Sequence, residues 1–228
     1  YSAFIVFDIT NFPYKAVAKY RNNEIKPMLF PSIIDDIGKA YNKAFILCEV
    51  NDIGDQVASI LNYDLEYDNL LMCSQRGRAG QVVGAGFSGK RSQLGVRTTQ
   101  AVKKLGCSNL KTLLEDDKIL IIDYDIISEL TTFSQKHNSF EAEEGCNDDL
   151  AMCLVIYAWL VQQDYFKELT DQDVRKRIYE DQRDQIEQDM SPFGFIIDGT
   201  EEESFVDGDG DRWYSDEYGD RSYMWEYK

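Results

Sequence analysis

Two short runs near the start of the chain, "AFIVFDI" (3–9) and "YKAVAKY" (14–20), concentrate apolar and aromatic residues on either side of "TNFP". Runs of that length joined by so short a turn predict two neighbouring antiparallel strands. "PSIIDDIGKAYN" (31–42) places apolar residues at helical spacing behind Pro31 and Ser32, and "KAFILCEV" (43–50) then reads as a buried strand. "GDQVASILNY" (54–63) predicts a helix and "NLLMCS" (69–74) a second buried strand. A glycine-rich stretch fills 75–95, after which "RTTQAVKKL" and "SNLKTLLEDD" predict two helical pieces broken at Gly106.

Further on, "KILIID" (118–123) predicts a strand, "YDIISELTTF" (124–133) a helix and "FEAEEG" (140–145) a strand end or loop. "NDDLAMCLVIYAWLVQQ" (147–163) is apolar on every side, which predicts a buried helix. "TDQDVRKRIYEDQRDQIEQDM" (170–190) predicts a charged helix, and the remaining tail has no amphipathic period. Strands alternating with helices after an antiparallel pair predict an α/β layer fold with a mixed sheet. The expected organisation is a core domain over 1–165, a charged helix over 166–190 and an acidic, disordered tail over 191–228.

With 228 residues and 43% hydrophobic content, the chain can bury a real core. No apolar run approaches the roughly 18–20 residues of a membrane span, and the start lacks the marks of a signal peptide, so a soluble protein without a membrane partner is expected. The first residue is not Met, which is expected of a fragment. Five widely spaced cysteines with no CxxC pair point to neither a disulfide framework nor a zinc site, and a reducing cytosol fits. The single His137 leaves little room for Ser-His-Asp or Cys-His chemistry and is expected to be an ordinary strand or loop residue. Chemistry is therefore expected to run on carboxylates and metal.

The net charge of −17 is unevenly spread. From Asp189 to Lys228 twelve acids face three bases, whereas between Asp68 and Glu115 there is no acid at all. That stretch holds Arg76, Arg78, Lys90, Arg91, Arg97, Lys103, Lys104 and Lys111, a basic island in an acidic protein. Such an island suits phosphate, with a solvated loop screened by the acidic tail as the alternative.

Two constellations carry candidate chemistry. "GAGFSGKR" (84–91) is one residue from a phosphate-binding loop, and "KILIID" ending in Asp123 resembles the strand and Asp that complete such a site. Against this, Arg91 stands where the Mg²⁺-binding hydroxyl is needed, "QVV" is a meagre preceding strand, and "SQLGVR" puts a glycine where a helix should open. A nucleotide-binding protein remains an alternative. The second constellation is Glu49 at the end of "FILCE" and Asp148 with Asp149 at the start of the apolar helix. Carboxylates converging from a strand end and a helix start are what two Mg²⁺ ions require for phosphodiester hydrolysis; a cap on the helix from Asn147 or Asp148 is the structural alternative. "DGDGDRWYSDEY" (207–218) imitates a calcium loop, but Arg212 replaces its turn glycine and Tyr218 its bidentate Glu.

"FILCEVNDIGDQVA" (45–58), "LEYDNLLMCS" (65–74), "GCSNLKTLLEDDKILI" (106–121), "TTFSQK" (131–136) and "AEEGCNDDLAMCLVIYAWL" (142–160) together resemble the nuclease domain of the large terminase subunit of T4-like tailed phages. The resemblance runs colinearly over roughly residues 1–165. It implies an RNase H-like fold, a mixed sheet flanked by helices, that cuts concatemeric double-stranded DNA with two divalent metals, Mg²⁺ or Mn²⁺, on an acidic triad. Two of the triad match Glu49 and Asp149, with Asp148 as second choice. The first Asp would lie on a strand upstream of Tyr1, so poor activity is expected of the chain as it stands. Asp8 is a tempting substitute, but it falls on the second strand and reads better as a strand-end residue before a turn.

Asn147 departs from the His usual there, and 75–95 is longer than the pattern. The resemblance further implies that this loop touches DNA through Arg76, Arg78, Lys90, Arg91, Arg97, Lys103 and Lys104. It implies the portal and the small terminase subunit as partners, and the host cytoplasm at the procapsid portal as the place of action. A non-catalytic DNA or protein docking module is the remaining alternative.

Overall fold

The computed structural model describes residues 2–74, 80–85, 92–136 and 139–171, with the backbone of 204–206, 212–215 and 221–223. Contacts divide the chain into two units, Tyr1–Arg177 and Ile178–Lys228. In the first, β1 (Ser2–Asp8) and β2 (Tyr14–Asn22) are followed by α1 (Phe30–Ala40), α2 (Gly54–Ser59) and a π-helical turn over Ile60–Asp64. Then come β3 (Leu71–Ser74), β4 (Val82–Ala85), β5 (Ser92–Gln93), α3 (Gln100–Glu115) and β6 (Ile119–Leu120). The unit continues with α4 (Tyr124–Thr132), β7 (Phe133–Lys136), β8 (Ser139–Ala142) and α5 (Asp149–Val161). This is the mixed α/β architecture expected, with the opening strands antiparallel and β6 parallel to β2.

Side-chain alternation sorts β1 between two layers. Ala3, Ile5 and Phe7 pack against the core cluster that α5 runs through, and Phe7 stacks on Tyr157 at 3.7 Å between ring centroids. Phe4, on the other face, stacks with Tyr20 and with Phe30 of α1. In β2 the pairing slips from Phe7–Ala16 to Val6–Ala18, so Val17 is an extra residue, a β-bulge. The bulge changes the phase of the strand. Tyr14 and Ala16 before it share the face of Phe7, and Lys19 and Arg21 after it share the face of Ile5 and Ala3. Two cations thereby arrive on the side of α4, where Lys19 pairs with Asp123 and Asp125, and Arg21 with Glu129.

α5 is the centre of the unit, with Leu150, Ala151 and every residue from Leu154 to Leu160 buried. Its all-round apolar sequence is explained by that position. α3 crosses it without interruption, which corrects the expected break at Gly106. A Cβ on Gly106 would stand 2.4 Å from the Val155 carbonyl oxygen, so the glycine lets two helices approach closely and does not end one.

Other expectations change in detail. The run 43–50 forms no strand ladder among the described residues: Lys43 has a φ of +54°, and pairing is confined to single parallel bridges of Ile46 with Leu70 and Glu49 with Val96. "KILIID" shrinks to a two-residue strand because Asp123 leaves it to cap α4, accepting from the amides of Asp125 and Ile126. The stretch 75–95 includes β4 and β5, which pair antiparallel with the two edges of β3. β7 and β8 pair antiparallel, Phe133 with Ala142 through Lys136 with Ser139; His137 lies outside the described residues. So do most of the charged helix 170–190 and of the acidic tail, including the calcium-like stretch beyond its Arg212–Ser215 backbone. In the second unit, β9 (Ser204–Val206), β10 (Arg212–Ser215) and β11 (Arg221–Tyr223) form an antiparallel meander centred on β10.

Candidate active site

Glu49 is held by its backbone. Val50 donates to the Val96 carbonyl at 2.9 Å and Val96 donates to Cys48 at 2.8 Å, which pins the residue between them. Gly95 makes this approach possible: its φ is +123°, and a Cβ there would stand 2.3 Å from the Cys48 carbonyl oxygen. The side chain is steadied as well. Asn51 donates from Nδ2 to Glu49 Oε1 at 3.0 Å and to the Thr98 carbonyl at 3.4 Å, which ties the acid to the segment entering α3.

Asp149 opens α5 from the opposite side. Asp148 occupies the N-cap position, yet its side chain makes no capping hydrogen bond. The helix start is satisfied from elsewhere: Glu129 of α4, buried at 5% exposure, accepts the amides of Leu150 at 2.7 Å and Ala151 at 3.1 Å. Its other oxygen is taken by Arg21 of β2. The expected alternative of a cap by Asp148 is thus filled by a residue distant in sequence, which leaves Asp148 and Asp149 their carboxylates.

Glu49, Asp148 and Asp149 all line one cleft of about 830 Å³. β1 and the run 45–49 line it, and α5 contributes Asp149, Met152, Cys153, Ile156, Tyr157 and Leu160. Burial pushes the Asp149 carboxyl above the usual carboxylate range, Glu129 and Asp148 add to this as like charges, and Arg21 opposes it. Burial likewise pushes the Cys153 thiol up to about 12, helped by Glu49, Asp149 and Glu129.

Acidic oxygens gathered in a half-apolar cleft are unfavourable together unless a cation neutralises them. Over residues 1–173 the sequence matches the family model of the terminase RNaseH-like domain. The chain belongs to that family.

In this terminase RNaseH-like domain Glu49 and Asp149, to which the sequence resemblance assigns two of three acids, both line the cleft. Hard carboxylate oxygens fit Mg²⁺ or Mn²⁺ in kind. Among the described residues, however, no three of His, Cys, Asp and Glu form a complete metal cluster. Asp8 does not supply the third. It ends β1 and accepts the Thr10 amide at 2.9 Å, in the turn role the sequence suggested.

The nucleotide-loop alternative loses its geometry in this domain. Gly84 and Ala85 belong to β4, β5 follows at Ser92, and among the described residues the next helix opens at Gln100. Asp123, its supposed metal ligand, is the cap of α4 and the partner of Lys19.

Of the cations expected to meet DNA, Arg97 is exposed and lies between Val96 and Thr98, the two residues whose backbones engage the Glu49 segment. Lys103 sits on α3 with its Nζ 5.7 Å from the Phe133 ring centroid, and its neighbour Lys104 is exposed. Neither lysine lines the cleft. Arg76, Arg78, Lys90 and Arg91 lie outside the described residues.

Sequence reasoning passed over Arg21, Asn51 and Glu129. Glu129 did leave a signal. It stands three residues after Ile126 and one before Leu130, on the apolar stripe of a predicted amphipathic helix, where a charge requires a partner.

Proposed function

We propose that this terminase domain is the metal-dependent endonuclease that cuts double-stranded DNA concatemers during phage genome packaging. The observation that carries the reading is the convergence of Glu49 and Asp149, far apart in sequence, on one cleft in a chain of the terminase family. Glu49 and Asp149 would hold Mg²⁺ or Mn²⁺, with Asp148 alongside. When bound, such cations supply Lewis acidity at the phosphate and charge neutralisation at the leaving oxygen.

The chain's own residues do the remaining work. Asn51 fixes the Glu49 carboxylate, the rigid start of α5 fixes that of Asp149, and Arg97, with the other cations of 76–104, holds the DNA backbone. Phosphate contacts carry little base information, so cutting is weakly sequence-specific. In this role the domain works with the portal and the small terminase subunit, in the host cytoplasm at the procapsid portal, in a motor of the T4-like type.

The third acid would come from a strand preceding Tyr1. Its place is supported by the cleft itself. β1 is an edge strand of its sheet among the described residues. Residues of β1 face those of 45–47 across the cleft, over the apolar Met152, Ile156 and Leu160. A strand laid there would pair with the open edge of β1 and bury this floor.

The test is Mn²⁺-dependent nicking of supercoiled plasmid by the chain extended upstream of Tyr1. The extension should raise cleavage, and Glu49→Ala and Asp149→Ala should each reduce it to background. Cleavage unchanged by either substitution would overturn the assignment. DNA binding with steep salt dependence and no cutting under any metal would point to the docking module instead.

A further inference from the structure

Glu129 is an unusual residue for its surroundings. It is one of two buried charged side chains among the described residues, and both its oxygens have partners. Oε1 takes the Arg21 guanidinium, while Oε2 takes the amides of Leu150 and Ala151. Those amides are the second and third of α5, the donors that an N-cap side chain ordinarily satisfies. With three of roughly four lone-pair sites occupied inside the protein, Glu129 is poorly placed to bind a cation of its own. It joins β2, through Arg21, to the start of α5, and its bonds fix the first turn of the helix that carries Asp149.

We propose that Glu129, clamped by Arg21, is the positioning residue for Asp149: it caps α5 in place of Asp148 and thereby sets where the Asp149 carboxylate stands in the cleft. The inference rests on the nuclease reading above for its consequence, though the cap itself does not. Two features set this apart from ordinary structural packing. The cap comes from α4, while the local candidate at the N-cap position is left uncommitted beside the site. The clamp also depends on the Val17 bulge, which turns Arg21 to this face of β2.

The experiment uses the chain extended upstream of Tyr1 and reads Mn²⁺ affinity by calorimetry, together with hydrogen exchange at individual amides. Glu129→Ala should weaken Mn²⁺ binding by about 10–100-fold, the usual cost of losing a group that orients a metal ligand. It should also speed exchange at Leu150 and Ala151. Glu129→Gln keeps a carbonyl for the two amides and should retain their protection with much of the affinity. Arg21→Met releases the clamp from a half-exposed position, which guards against an unfolded Glu129→Ala protein, and should weaken Mn²⁺ in the same direction.

If Asp149→Ala abolishes Mn²⁺ binding but Glu129→Ala and Arg21→Met leave it within about twofold of the parent, the positioning role is wrong and the nuclease reading stands. If Asp149→Ala leaves Mn²⁺ binding and cleavage unchanged, the nuclease reading itself fails. Unaltered exchange at Leu150 and Ala151 in a folded Glu129→Ala protein overturns the cap.

Discussion

Asp149 carries a cost that its position explains. Its carboxyl is pushed above the ordinary value of 3.8 by burial and then by the charges of Glu129 and Asp148. The folded chain therefore keeps this proton to higher pH than the unfolded chain does. Between the ordinary and the raised value the folded state binds more protons, so the contribution of this group to metal-free stability falls as pH rises through that window. Asp149→Asn should consequently raise the melting temperature of the metal-free chain at about pH 7 and have little effect below about pH 3, where both states are protonated. Equal shifts at both pH values would remove the charge as the cause. A gain in stability coupled to loss of cleavage would be the expected trade at a functional site. The sequence made Glu49 and Asp149 legible because acids at the margins of apolar runs are conspicuous. Asn51 was not legible, since its partners Glu49 and Thr98 are brought to it only by the pairing of two distant segments.

At the level of elements, period and apolar density foretold most of the helices and strands, because burial acts on side-chain pattern directly. α5 is the clearest case, apolar on all faces and buried on nearly all of them. Failures came where tertiary contact overrode a local signal. Gly106 looked like a helix break because glycine is a poor helix former; in the fold it marks the crossing of α3 and α5. Gly106→Ala tests this. The substitution gains roughly 0.8–1.0 kcal/mol of intrinsic helix propensity but sets a methyl against a backbone carbonyl, and overpacking typically costs about 1–3 kcal/mol. Since the carbonyl belongs to a buried helix that cannot swing aside, the midpoint of urea denaturation should fall. A higher midpoint would show that the helices separate easily. The β7–β8 pair was only half legible: the first strand continues directly from α4, with no turn residue to announce the change of period.

For the whole molecule, a net charge of −17 opposes any approach to DNA, so the acid-free span from Asn69 to Leu114 must offset that field locally. Arg97 is its described member nearest the Glu49 segment. Arg97→Ala should weaken binding to DNA of any sequence and reduce the slope of log affinity against log salt by about one. An unchanged slope would take Arg97 off the phosphate path. The placement of Lys19 and Arg21 in β2 depends on something simpler than charge. In β2 the chain counts residues: with Val17 present, Lys19 and Arg21 meet the acids of α4, and with one residue fewer they would exchange sides with Ala18 and Tyr20. Replacing Val17, which is 45% exposed, should therefore be mild. Deleting it would reverse the downstream half of the strand and leave Asp123, Asp125 and Glu129 facing aromatic and methyl groups. The wiring of this domain thus tolerates changes of letter at position 17 and is intolerant of a change in length there.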